Sequence, residues 1–228
     1  MSEAIVLLSG GLDSATALAI AKEKGHEIIA LTFDYGQKHK RELDSAKKIA
    51  KHFKVKEHVV IPLDLGKLLQ SSLTQKSVAI PEGRSEDEMA SGIPSTYVPA
   101  RNIVFLSIAS SVAESRGAER VFIAVNAIDF SGYPDCTPEF IAAFQKVVDV
   151  GTKAGKTGKG IRIETPLIDL SKAQIVREAF RLKVPVELTW SCYKGGRRAC
   201  GKCDSCQLRL RGFAEAGFKD PLEYEVIR

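Results

Sequence analysis

The chain has 228 residues and a net charge of +5, with 44% hydrophobic and 27% charged residues. That size supports one large domain, or one with a small appendage, and the composition is that of an ordinary soluble globular chain. No apolar run approaches the roughly 18 residues that span a bilayer, and the apolar run at 4–8 is too short for a signal-peptide core and has no basic residues before it. A cytoplasmic protein without a membrane partner is therefore expected, and the mild basicity accommodates ATP, another phosphate ligand or RNA without selecting one.

Ala4 to Leu8 is a continuous apolar run, the pattern of a strand buried on both faces. A glycine turn follows, then helical spacing from Ala15 to Lys24, stopped by Gly25. Glu27 to Phe33 reads as a second buried strand, Lys40 to Phe53 as a helix and Val55 to Ile61 as a third strand. The dense basic charges between Lys38 and Lys56 surround Leu43, Ala46, Ile49, Ala50 and Phe53, as on a solvated helix face rather than a nucleic-acid patch. The βαβαβ order implies parallel pairing. Periodicity fades from Pro62 to Val98, a stretch long enough to be functional or mobile. Helices are expected at Asn102 to Arg116 and Pro138 to Val150, with a fourth strand at Arg120 to Val125. Gly151 to Gly160 reads as a flexible lysine-bearing loop, Ile161 to Ile163 as a short strand. Ser171-Lys-Ala-Gln174 has capping-box spacing for a helix reaching Arg181, and Asp204 to Ala216 forms a last helix. The expected fold class is a doubly wound, mainly parallel α/β sheet over 1–185, with a small C-terminal cysteine segment over 186–228 packed on it. Such sheets bind ligands beyond the carboxyl ends of their strands.

Four of five cysteines fall within 192–206, and Cys200, Cys203 and Cys206 form C-x-x-C-x-x-C. Four thiolates from Cys192, Cys200, Cys203 and Cys206 suit one tetrahedral, structural Zn²⁺ with no open position. An iron–sulfur cluster is the competing reading, because the same spacing occurs in ferredoxins. Cys136 stands alone, and the four histidines, His39 included, show no metal spacing.

The hexapeptide Ser9-Gly-Gly-Leu-Asp-Ser14 sits between the first strand and first helix. Gly10 and Gly11 let phosphate approach the backbone, the helix offers free N–H groups and its positive end, and Ser9 and Ser14 offer hydroxyls. Asp13 repels phosphate unless Mg²⁺ bridges them; helix capping is its other reading. Neither G-x-x-x-x-G-K-[ST] nor G-x-G-x-x-G is present in this turn.

This loop resembles that of the N-type ATP pyrophosphatases. The addition of Asp34-Tyr-Gly-Gln37, Val98-Pro-Ala-Arg-Asn102, Asn126-Ala-Ile-Asp-Phe-Ser-Gly-Tyr-Pro-Asp135 and the cysteine cluster makes essentially the whole chain resemble the 7-cyano-7-deazaguanine synthases. The resemblance implies adenylation of 7-carboxy-7-deazaguanine by ATP with Mg²⁺, capture by ammonia as an amide, and a second adenylation that yields the nitrile. It implies an ATP-binding stretch of Leu8, Ser9, Gly10, Gly11, Leu12, Asp13, Ser14, Ala15, Thr16, Ala17 and Leu18, and it suggests a homodimer. No glutaminase domain is recognisable, so free ammonia is the simplest nitrogen source. Within that frame Asp13, Lys172 and Arg101 are the catalytic candidates, and Asn126, Asp129, Tyr133 and Asp135 the substrate-binding ones, with Phe130 as a stacking surface. Turn chemistry beside Gly132 and Pro134 competes for Asp129 and Asp135, an exposed helix lysine for Lys172, and plain flexibility for a flap of Lys153, Lys156 and Lys159. Two other functions share parts of the pattern: a tRNA-modifying thiolation or lysidine-type enzyme of the same superfamily, and a non-enzymatic zinc-ribbon nucleic-acid binder. No stable nucleic-acid partner is expected.

Overall fold

The computed structural model describes residues 2–126 and 132–225. Its strands are β1 (Glu3–Leu7), β2 (Glu27–Asp34), β3 (Glu57–Pro62), β4 (Arg120–Phe122) and β5 (Arg162–Glu164). The helices are α1 (Leu12–Glu23), α2 (Arg41–His52), α3 (Glu86–Ala90), α4 (Arg101–Arg116), α5 (Pro138–Gly151), α6 (Lys153–Lys156), α7 (Lys172–Arg181) and α8 (Asp204–Ala216).

All five strands are parallel, in the order β3-β2-β1-β4-β5. Ile5 of β1 pairs with Ile29 of β2 on one side and Val121 of β4 on the other. The alternation of side chains along a strand explains why β1 is apolar at every position. Ala4 and Val6 join a core with Leu18 of α1, Ile49 of α2, Val176 of α7 and Phe213 of α8. Ile5 and Leu7 join the opposite core with Leu106 of α4 and Phe144 of α5. Helices thus cover both faces, and chain order reverses between β1 and β4, where a crevice opens at the strands' carboxyl ends.

The elements fall close to their sequence expectations, and the departures have local causes. The fourth strand stops at Phe122 rather than Val125, which frees the segment 123–126 to run into the crevice. The lysine-bearing loop after α5 contains the short α6, capped by Thr152 Oγ1 accepting from Gly155 N at 3.0 Å and tied to α4 by Glu114 Oε1 accepting from Ala154 N at 2.8 Å. The long 62–98 connection holds α3, whose capping box pairs Ser85 with Glu88, and is pinned by Ser72 N to Ser95 O at 2.8 Å and Gly83 N to Lys202 O at 2.9 Å. The segment after residue 185 shares the core of α1 and α7 through Phe213. Close packing of α7 on α8 requires Gly212, since a Cβ there would lie 2.3 Å from Lys172 Cγ. No helix of the described residues is long and apolar enough to cross a membrane.

Candidate active site and metal centre

A cavity of about 320 Å³ fills the crevice. One end is formed by Ser9, Gly11, Leu12, Asp13 and Ser14, the other by Phe33, Tyr35, Glu42, Arg101, Phe105 and Tyr133.

At the first end, helix α1 starts at Gly11 with no side chain capping it. An α-helix leaves its first N–H groups without intrahelical partners, so an uncapped start facing a cavity is an anion cradle. Ser9 Oγ donates to Ser14 Oγ at 3.0 Å, and Ser14 Oγ to Gly11 O at 3.1 Å, which shapes the turn from within. Gly10 has φ +89°, and a Cβ would meet Glu42 O at 2.2 Å, so only glycine allows the turn to lie this close to α2. Lys172 leads α7 after the capping box of Ser171 and Gln174. Its Nζ donates to Asp13 Oδ2 at 2.7 Å across 159 positions of sequence. Asp13 therefore pairs with a cation instead of capping its helix, and Lys172, with a side chain 14% exposed, is not a free surface lysine.

The second end is aromatic, with one cation and one acid. Phe33 and Phe105 stack with centroids 4.0 Å apart. The Arg101 guanidinium lies 5.7 Å from the Tyr35 ring centre and 6.0 Å from that of Tyr133, donates to Tyr35 Oη at 3.4 Å, and keeps a buried Nε with no hydrogen-bond partner. Burial pushes the Glu42 carboxyl up to about 7, against the pull of Arg101 and of Gln37, whose Nε2 donates to Oε1 at 3.0 Å. Burial, reinforced by Asp135, likewise pushes the Cys136 thiol up to about 12, so it is a poor nucleophile at neutral pH.

The remaining candidates divide. Leu8 lines the cavity; Gly10, Ala15, Thr16, Ala17 and Leu18 do not, and Ala15, Thr16, Ala17 and Leu18 are packed inside. Asn126 lines the cavity, with its Nδ2 donating to Leu167 O at 3.3 Å and to Leu170 O. Tyr133 also lines it, with its hydroxyl donating to Thr96 Oγ1 at 2.9 Å. Asp135 lies behind the cavity wall rather than in it. It is 4% exposed, and its Oδ2 accepts from Asn102 N at 2.9 Å, capping α4, whose own N-cap Ala100 has no side chain able to do so. Asp129 and Phe130 fall outside the described residues. Lys153, Lys156 and Lys159 do not reach the cavity lining, nor does His39, which packs against Gly195 instead. The sequence reading missed Glu42, hidden in a lysine-rich helix, and Phe105, which nothing local distinguishes from a core aromatic; Tyr35 lay within the Asp34–Gln37 motif but was given no role. Trp190 beside the cysteine segment was missed too, though its position two residues before Cys192 was a usable signal.

The Sγ atoms of Cys192, Cys200, Cys203 and Cys206 lie within 4.8 Å of one another, all four residues buried and none in a disulfide. Thiolates on one zinc at about 2.3 Å stand roughly 3.8 Å apart in a tetrahedron; Cys200 Sγ and Cys206 Sγ are 3.9 Å apart. An iron–sulfur cluster would interpose several atoms and spread its ligands further. Cys200 N donates to Cys192 Sγ at 3.3 Å, and Lys202 N and Cys203 N to Cys200 Sγ at 3.4 Å, bonds that favour thiolate charge. The group fits a single thiophilic ion such as zinc.

The sheet and its crevice define a doubly wound parallel α/β fold, which is shared with NMN synthetase from Francisella tularensis at a TM-score of 0.52, with 16% identity over 96% of this chain and 78% of that one. Residues 3–217 match the family described as queuosine biosynthesis protein QueC, and the chain belongs to that family. It is 53% identical over 224 residues to 7-cyano-7-deazaguanine synthase 2 of Desulfitobacterium hafniense, covering 98% of this chain and 94% of that protein. It is 54% identical to the 7-cyano-7-deazaguanine synthase of Stutzerimonas stutzeri, covering 97% and 98%. The chain is thus an enzyme of a synthase family, which leaves no place for a non-enzymatic zinc-ribbon protein.

Proposed function

We propose that this enzyme converts 7-carboxy-7-deazaguanine and ammonia to 7-cyano-7-deazaguanine, preQ0, with two molecules of ATP. The observation that carries the reading is the uncapped start of α1 facing a cavity together with the Lys172–Asp13 pair, in a chain belonging to the QueC family. The substrate carboxylate oxygen attacks the α-phosphorus of ATP and pyrophosphate leaves. Ammonia attacks the acyl carbon and AMP leaves, giving the primary amide. The amide oxygen attacks the α-phosphorus of a second ATP and pyrophosphate leaves; loss of AMP from carbon and of the nitrogen's two protons then gives the nitrile. Both oxygens are poor leaving groups until phosphorylated, so one phosphate-binding apparatus serves both steps.

In this reading the Ser9–Ser14 turn and the α1 amides hold phosphate oxygens, Lys172 neutralises charge developing at the α-phosphate, and Asp13 holds ATP-borne Mg²⁺. A single carboxylate among hydroxyls and phosphates suits Mg²⁺, which keeps most of its ligands as water and phosphate. Arg101, with its unpaired Nε, takes the triphosphate or the substrate carboxylate through its planar fork. Asn126 and Tyr133 border the base, and Asp129 accepts from its N–H groups, while Asp135 acts through α4 rather than by contact. The four cysteines hold one structural zinc. The chain works as a cytoplasmic homodimer, a state that the family resemblance suggests.

The test supplies the carboxylate or the amide with ATP, Mg²⁺ and ammonium, without RNA, and follows products by mass spectrometry. Nitrile from both, with AMP and pyrophosphate, is expected. ADP as main nucleotide product rules out adenylation; activity only with RNA present restores the tRNA-modifying alternative, against which the unreactive Cys136 thiol already weighs.

A further inference from the structure

We propose that Trp190 is a positioning residue that couples the four-cysteine site to the phosphate loop, so that the loop's affinity for ATP depends on the folded metal knuckle. The inference rests on the reading of Ser9–Ser14 as an ATP loop and adds what holds that loop in shape.

Trp190 is 4% exposed and makes a contact in each direction. Its backbone N–H donates to Gly10 O at 2.9 Å. Its indole Nε1–H donates to the carbonyl of the first cysteine, Cys192 O, at 3.0 Å. The Arg41 guanidinium lies 3.8 Å from the centre of the same ring and donates to Arg197 O at 2.8 Å and to Gly196 O, both between Cys192 and Cys200. The neighbours of Trp190 are fixed from the other side: Arg209 of α8 donates to Thr189 Oγ1 at 2.7 Å and Ser191 Oγ at 3.4 Å, and is itself paired with Asp220 through Nε at 2.7 Å and Nη2 at 3.0 Å. Helix α8 begins between Cys203 and Cys206. Segment 189–192 is therefore clamped by the knuckle on one side and by α8 on the other.

The bonds within the turn join Ser9, Ser14 and Gly11 O, and leave the Gly10–Gly11 peptide unit held from inside only by the long contact of Gly11 N with Ser9 Oγ. Gly10 sits at φ +89°, wedged against Glu42 O and Ala46 N of α2, and α1 has no side-chain cap. A peptide unit is planar, with its C=O and N–H pointing in opposite directions. The bond that Trp190 makes to Gly10 O therefore also sets the direction of the Gly11 N–H, which is at the mouth of the anion cradle and otherwise reaches only Ser9 Oγ at a long 3.4 Å. A shift of Trp190 would turn that donor away from a phosphate without moving Asp13 or Lys172.

The zinc-loaded enzyme tests this. Trp190→Phe keeps the backbone N–H and a ring for Arg41 but deletes the bond to Cys192 O. It is expected to retain one zinc per chain and a cooperative melt, with the ATP dissociation constant, measured calorimetrically with a non-hydrolysable analogue, raised roughly 3- to 10-fold. The KM for ATP should rise in step, with kcat at saturating ATP nearly unchanged. Arg41→Met, which leaves Trp190 in place and removes the other clamp, should act in the same direction. Because Trp190 is the chain's single tryptophan, its emission in wild-type protein should shift red on chelation, in parallel with lost analogue binding. Equal analogue affinity in Trp190→Phe, Arg41→Met and wild type overturns the coupling while leaving the ATP reading intact. Failure of zinc-loaded wild type to bind the analogue overturns the loop's assignment, and the coupling with it.

Discussion

The two ends of the cavity are built in opposite ways. The phosphate end is local: six consecutive residues form the turn, and a single distant side chain, Lys172, completes it. Its donors, the first amides of α1, are left unspent by the fold. The aromatic end is assembled from β2, α2, α4 and the 132–136 segment, and most of its polar groups are already engaged: Tyr133 with Thr96, Glu42 with Gln37, Asp135 with the start of α4. Unspent donors mark where a ligand's charge is handled; satisfied groups mark a wall whose shape is handled. Mutations at the first end should therefore damage chemistry with little loss of stability, and those at the second should damage stability and affinity together.

The largest effect should come from outside both ends. Cys203→Ser removes one ligand of a site whose metal supplies roughly 10 kcal/mol or more of apparent binding energy in small peptides, so soluble folded yield should collapse. Metal analysis of wild type should find one zinc per chain; iron with inorganic sulfide would sink the assignment. Next, Asp13→Asn should leave the melting temperature nearly unchanged and lower kcat by roughly 10²- to 10³-fold, the scale of losing one electrostatic contact to a transition state. Near-normal turnover would reduce the Lys172–Asp13 pair to a structural ion pair. Asp135→Ala tests the other half of the contrast. Loss of a buried acceptor at a helix start costs about 1–3 kcal/mol, so the unliganded protein should melt several degrees lower. A residue that only contacted the base would leave the unliganded melt where it was.

The contrast also explains what the sequence disclosed. The turn, the buried strands and the cysteine knuckle each depend on short-range spacing, so the doubly wound fold and the Ser9–Ser14 loop could be read directly from residue order. The Lys172–Asp13 bond joins positions 159 apart; Asp13 was singled out by the chemistry of its loop and Lys172 by its place at the start of a capped helix, but nothing local paired them. Asp135 was left between base contact and turn chemistry beside Gly132 and Pro134, because nothing local reveals that α4, starting at a left-handed Ala100, takes its cap from 33 residues away. Glu42 escaped because α2 is amphipathic and lysine-rich, and the two acids of its first turn, Glu42 and Asp44, both read as solvated. Only the close packing of α2 on Gly10 brings that carboxylate into the cavity wall.

Glu42 provides the smallest and most specific test. Its carboxyl is raised to about 7 by burial, so the folded chain binds this proton more tightly than the unfolded chain, where a glutamate titrates near its ordinary value. Below about pH 4 both states are protonated, and the group adds no pH dependence. Between that point and about pH 7 the unfolded chain releases the proton first, so folding stability falls as pH rises; above pH 7 the full penalty of ionising this partly buried carboxylate is present. Glu42→Gln keeps the shape and an oxygen that can accept from Gln37 Nε2, and removes the titration. It should match wild type near pH 4 and exceed it by roughly 1–3 kcal/mol at pH 8, measured by denaturant unfolding across the range. Parallel stability curves for the two proteins would mean that this carboxylate is solvated, and that the aromatic end is wetter than its lining residues imply.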